Sequence, residues 1–165
     1  MIFTDGYFPD HRKRETDPAR VGIVAFVKNK AHPLSVSLEI KQEIMDFWIK
    51  RKNQIAMVEL FAPVLTLFMM GEILKGMKIL LFVDSEPVEG ALVKGYSSRS
   101  DMCLLTGLFW RLAHKWDIKI YIDRVPTDCN PSDGLSRKRL EEARSLGWEL
   151  LVDPEIPAEL FGSEI

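Results

Sequence analysis

Four carboxylates stand where a carboxylate could do chemistry: Asp5 and Asp84 follow apolar runs, Glu59 lies beside an apolar stripe, and Asp133 opens a helical pattern. Taken singly, each has an ordinary explanation, because an acid at an element's end commonly caps a helix or sits in a solvated turn. Taken together, they are a set of hard oxygen ligands of one charge. Gathered in one place they would repel one another, and Mg²⁺ or Mn²⁺, which prefer oxygen ligands, would be the natural compensation. Two such ions about 3.5–4 Å apart form the clamp used for in-line displacement at phosphodiesters. Glu59 is the most telling member, since a charge on the apolar side of a core helix is costly unless a cation or donors meet it.

The elements that must position these acids can be read from the spacing of apolar residues. Ile2 and Phe3 begin a strand that runs into Asp5 and Gly6, and Val21 to Val27 is rich in β-formers. Leu34, Val36, Leu38 and Ile40 alternate with polar residues, so three successive strands predict an antiparallel meander. Lys41 to Lys52 predicts a short amphipathic helix. A longer one follows on Ile55, Val58, Ala62, Leu65 and Met69, with Pro63 predicting a start or a kink next to Glu59.

The unbroken apolar run Ile79–Val83 predicts a strand buried on both faces, which places Asp84 at its carboxyl end. Helices over Pro87–Lys94 and Asp101–Trp116 flank a turn, and Ile118, Ile120 and Ile122 form a last strand. Trp110 and Trp116 share helical spacing with leucines and read as core. Pro126–Ser132 is a loop carrying Asn130, and a helix is expected from Asp133 to Leu146. Ligands of open α/β sheets collect at the carboxyl ends of parallel strands near a switch point, which is where Asp5 and Asp84 would lie.

The motifs Phe3-Thr4-Asp5-Gly6, Glu59 within VELFA, Phe82-Val83-Asp84-Ser85 and Asn130-Pro131-Ser132-Asp133-Gly134-Leu135-Ser136-Arg137 resemble the RNase H domain of reverse-transcribing elements. The spacing from FVDSEPVEGALVKGYSSRSD to NPSDGLSR is similar to that of DIRS-like retrotransposons. The resemblance implies an α/β, RNase H-like five-stranded mixed sheet of order 3-2-1-4-5 flanked by helices. It implies Asp5, Glu59, Asp84 and Asp133 as catalytic residues and ligands of two Mg²⁺ ions, with Mn²⁺ able to substitute, and Asn130 in support. The implied reaction cuts the RNA strand of an RNA/DNA hybrid, leaving a 5′-phosphate and a 3′-hydroxyl. A covalently linked reverse transcriptase domain is the implied partner. Candidate nucleic-acid contacts are Gly6, Ser85, Arg12, Lys13, Arg14 and Arg137. The loop 126–132 lacks the histidine that many relatives carry there.

Composition narrows the alternatives. A chain of 165 residues, 47% hydrophobic, predicts one domain over 1–165, with the core at about 1–146 and an extension at 147–165. Beginning at its first strand, it reads as a piece of a larger polyprotein. Mean hydropathy of −0.02, with no apolar stretch as long as a bilayer span and no signal-peptide pattern, predicts an intracellular protein, cytoplasmic or nuclear, without a membrane partner. Cys103 and Cys129 match no metal spacing and read as free thiols. The net charge of −2 argues against a strong positive field, leaving the basic runs at His11–Arg14, Lys50–Lys52 and Arg137–Arg139 as local patches. Other readings are a catalytically inactive connector beside a polymerase, a transposase- or resolvase-type nuclease, and a phosphoacceptor receiver domain. The last lacks the further βα units it would need.

Overall fold

The computed structural model describes residues 1–156. The expected meander is present as β1 (Ile2–Tyr7), β2 (Arg20–Ala25) and β3 (Leu34–Glu39), paired antiparallel. Two crossovers then add β4 (Lys78–Val83) parallel to β1 and β5 (Lys119–Arg124) parallel to β4. The 3-2-1-4-5 order is as expected, but the sheet has six strands, in order β5-β4-β1-β2-β3-β6. The antiparallel half excludes a receiver-type parallel sheet. Cys103 and Cys129 are free.

The sixth strand, β6 (Glu149–Val152), pairs parallel to β3 and corrects the expectation that the core stops near 146. Of the expected extension, 157–165 lie outside the described residues. Alternation in ELLV is too short a signal to read by itself. An electrostatic tie accompanies it: Arg20 is 2% exposed, and its Nη2 donates to Asp153 Oδ1 at 2.7 Å and to Ser37 Oγ at 3.1 Å. Its Nε and Nη1 have no hydrogen-bond partner, and Nη1 stands 3.8 Å from Glu39 Oε2, so Asp153 is the closer of the guanidinium's two counter-charges.

Helix α1 is only Gln42–Met45, shorter than the spacing of Ile44, Phe47 and Trp48 predicts. Helix α2 (Ile55–Leu74) is continuous through Pro63, neither starting nor ending there. By length and composition α2 could cross a membrane, contrary to the expectation of no such stretch, but 72% of its apolar window is buried in the protein. It is sandwiched between the sheet and helices α3 (Glu86–Lys94) and α4 (Ser100–Lys115). Trp116 presses against Gly71 of α2, where an added Cβ would sit 2.1 Å from the indole Nε1. Trp110 and Trp116 are half-buried rather than fully in the core, and Trp110 donates to the Leu92 carbonyl at 3.0 Å.

The opposite sheet face is covered by two short helices, α5 (Asp133–Ser136) and α6 (Glu141–Ser145), instead of the single helix expected up to Leu146. Leu135 and Leu140 both bury against Val24. Five residues apart on a continuous helix they would point some 140° away from each other. The chain therefore breaks between them, with Lys138 at a left-handed φ of 56°. These helices touch β1, β2 and β3 but leave β4 uncovered on that face. So β4 is not buried on both sides as expected: Ile79, Leu81 and Val83 are inside while Leu80 is 42% exposed.

If Asp153 is what makes the buried Arg20 tolerable, Asp153→Ala should cost on the order of 2 kcal/mol in urea unfolding, because it strands a buried charge. An unchanged midpoint would show that Glu39 and Ser37 suffice.

Candidate active site

Asp5 lies on β1 directly opposite Gly22 of β2, and α5 crosses the sheet at that point. A Cβ on Gly22 would lie 2.3 Å from the Ser132 carbonyl oxygen and 2.6 Å from the Ser136 nitrogen, so only glycine allows α5 this close. The closeness lets the Ser136 hydroxyl donate to Asp5, and it brings Asp133, three residues earlier in α5, to the same end of the sheet. On the other face, Gly6 performs the matching task. Its missing side chain lets β1 reach the backbone of α2 at Glu59, within 2.7 Å of where a Cβ would be.

Asp84 follows β4 between these two faces. Its Oδ2 accepts a hydrogen bond from the Thr127 hydroxyl at 3.1 Å. Burial, reinforced by the charges of Asp84 and Asp133, pushes the Asp5 carboxyl up to about 8, although the bond from Ser136 opposes the shift. Burial also pushes Glu59 up to about 7, with the charge of Asp84 adding to it and a hydrogen bond from Ser85 opposing it. Asp84 is thus the member that both Asp5 and Glu59 sense, and Asp133 acts on Asp5. Asp133 has other partners: its Oδ1 accepts from Arg137 Nε at 3.0 Å and its Oδ2 accepts from Arg139.

The supporting residues divide. Asn130 is buried; its side-chain nitrogen donates to the Thr4 carbonyl at 3.0 Å, and its oxygen accepts from Ser132. It therefore stitches the loop before Asp133 to the strand carrying Asp5, without touching the Asp133 side chain. Ser85 and Gly6 are buried, Ser85 bonded to Glu59 and Gly6 packed on α2, so both position Glu59. Arg12, Lys13 and Arg14 are exposed in the β1–β2 loop, with Arg12 paired to Asp10. Arg137 lies 5.3 Å above the Tyr7 ring. Gly22 and Thr127 escaped the sequence reading, as did the contacts of Ser136 and Arg139 with the acids, although a glycine inside the strand VGIVAFV is a signal of close backbone approach.

No protein-family model and no curated protein sequence matches the chain. Solved structures do. Ribonuclease H1 from the halophilic archaeon Halobacterium salinarum superimposes with a TM-score of 0.63 at 21% identity, covering 86% of this chain and 97% of that one. The N-terminal ribonuclease H domain of a Mycobacterium tuberculosis protein, solved fused to maltose binding protein, gives 0.64 at 17% identity, covering 87% and 94%. The chain has the ribonuclease H fold. The prototype foamy virus protease-reverse transcriptase also matches, at a TM-score of 0.48 and 16% identity over 85% of this chain and 20% of that chain, and adds nothing to the assignment. Within the ribonuclease H fold of this chain, the acids cluster where β1 and β4, the central parallel pair, meet α2 and α5.

Two outcomes follow from this arrangement. Gly22→Ala should lower stability by about 2 kcal/mol by forcing α5 off the sheet, with faster hydrogen exchange at the Ser136 amide. Gly90→Ala on α3, where a Cβ meets open space, should instead stabilise by up to about 1 kcal/mol. The second outcome concerns pH. Asp5 and Glu59 hold protons in the folded chain that the unfolded chain releases near the ordinary values of 3.8 and 4.5. In EDTA the melting temperature should therefore fall as pH rises from about 5 to 8, the folded pKa values setting the upper limit. Asp5→Asn should flatten that slope; an equally steep slope in the variant would remove Asp5 as its cause.

Proposed function

We propose that this chain is a metal-dependent endoribonuclease that cuts the RNA strand of RNA/DNA hybrids as part of a retroelement reverse transcriptase. The observation that carries this reading is that, in a ribonuclease H fold, Asp84 acts on both Asp5 and Glu59 while Asp133 acts on Asp5. The retroelement context rests on the resemblance of FVDSEPVEGALVKGYSSRSD and NPSDGLSR to such elements.

The donor set fits Mg²⁺ or Mn²⁺. It consists of oxygens alone, and among the described residues no ion pair reaches Asp5, Glu59 or Asp84. Raised carboxyl pKa values mark negative charge that a cation would relieve. Among the described residues, no three acids, histidines or cysteines stand close enough to hold one ion as arranged, with Asp133 turned to its arginines and Glu59 to Ser85. Asp5, Glu59, Asp84 and Asp133 would hold two ions, which supply Lewis-acid stabilisation of the phosphate undergoing displacement. The chain's own contribution is placement. Ser136 aims Asp5, Ser85 aims Glu59, Thr127 aims Asp84, and Asn130 fixes the loop that delivers Asp133. Ribose 2′-hydroxyls and the shape of the duplex would distinguish hybrid from DNA, since bases inside a duplex of this form are poorly read.

Labelled RNA within a hybrid should be cut in Mg²⁺ or Mn²⁺, not in EDTA, while duplex DNA stays whole. Asp84→Asn should lower the rate by at least about 100-fold with unchanged or higher metal-free stability, because one of the opposed charges is gone. Cleavage of duplex DNA would favour a transposase- or resolvase-type nuclease, and no metal-dependent cleavage would favour a connector module.

A further inference from the structure

Asp133 is the one acid of the four that is already neutralised. Arg137 Nε reaches one carboxylate oxygen at 3.0 Å and Arg139 reaches the other, so neither oxygen is free of a cation. The pairing follows from local geometry: Arg137 is one turn along from Asp133, and the left-handed residue Lys138, at φ 56°, folds Arg139 back onto the same carboxylate. The two guanidiniums are nevertheless open to solvent, with side chains 46% and 61% exposed against 20% for Asp133. A ligand can reach the arginines without first displacing the acid.

What that ligand would be is indicated by the cleft they line. It holds about 400 Å³ and is bordered by Tyr7, Arg20, Arg137, Lys138 and Arg139, with Glu15 and Asp17 at its wall. Arg137 is held over the Tyr7 ring, and Tyr7 is anchored by its hydroxyl to Glu15 at 3.0 Å, so the guanidinium has a fixed station at the cleft mouth. A guanidinium fork matches a phosphodiester as well as it matches a carboxylate. Exposed ion pairs are weak holds, so exchange of one anion for the other is easily reversed.

We propose that Arg137 and Arg139 form a latch on Asp133 that opens onto a backbone phosphate of the hybrid, so that substrate binding releases Asp133 to complete the cation site. The inference rests on the nuclease reading and deepens it. It accounts for why no three acids are poised around one ion in the free protein. Arg137 and Arg139 are positioning residues here. By reciprocity, cation binding would likewise turn the arginines toward the phosphate.

The test separates the latch from general charge. Mn²⁺ binding to the free protein is measured by calorimetry for wild type, Arg137→Gln, Arg139→Gln and Lys138→Asn, the last removing equal charge from the same cleft at a residue that does not touch Asp133. Asparagine is chosen because it tolerates the left-handed backbone. The arginine variants should bind Mn²⁺ about 2- to 5-fold more tightly than wild type, the upper scale of an exposed ion pair, and Lys138→Asn less than about 1.5-fold. In EDTA, hybrid affinity should fall in both arginine variants, and the salt dependence should lose about one phosphate contact for each. Unchanged Mn²⁺ affinity, or an equal gain in Lys138→Asn, overturns the latch and leaves the nuclease reading intact. No Mn²⁺ binding in any of the proteins, including wild type, overturns both.

Discussion

The structure depends on one electrostatic constraint: carboxylates of like charge are held together at the end of a sheet, and one of them, Asp5, is 4% exposed. A buried carboxylate is tolerated only if donors, cations or protons meet it. The surrounding architecture supplies the first and leaves room for the others. Ser136, Ser85 and Thr127 each offer a hydroxyl to a different acid, a division of labour that keeps every side chain aimed without neutralising the group.

Bringing backbones near enough for those hydroxyls to act is the work of two glycines on adjacent strands. Gly6 admits α2 from one side and Gly22 admits α5 from the other, and the register that sets Gly22 opposite Asp5 makes the second approach coincide with the acid. Sheet pairing transmits this placement: a slip of one residue would send Asp5 to the face of α2 and leave Ser136 without its acceptor. The meander and its parallel additions are therefore a positioning device, in which the strand order decides which faces the helices can reach.

Much of this was legible in the sequence because it rests on local periodicity. Alternation in Leu34–Ile40 and the apolar run ending at Asp84 predict a meander with parallel additions and acids at strand ends, while the five-stranded order comes from the resemblance of the motifs to RNase H domains. What was not legible depends on distant partners. A four-residue strand, Glu149–Val152, has no pattern of its own and gains its place by pairing with β3. The break between α5 and α6 comes from Leu135 and Leu140 sharing one patch of sheet around Val24, a target that their spacing alone does not reveal. The contact of Ser85 with Glu59, 26 residues away in sequence, likewise has no signal in the spacing of either residue. Helix α2 reads as amphipathic on its first stripe, yet it is wrapped by α3 and α4 as well as the sheet, so its apolar character extends around the axis.

The pairing of Arg20 with Asp153 also bears on how the chain is made. These residues are 133 positions apart, so almost the whole domain has left the ribosome before the closer counter-charge of Arg20 emerges, Glu39 alone standing within 3.8 Å until then. Until then only Glu39 and the Ser37 hydroxyl, both on β3, meet the buried guanidinium. The meander can form early, but its final closure waits for the last strand. The arrangement gives the fold a completeness check: a chain cut short just before Asp153 retains every candidate catalytic acid and lacks the closer of the two carboxylates that meet its buried guanidinium.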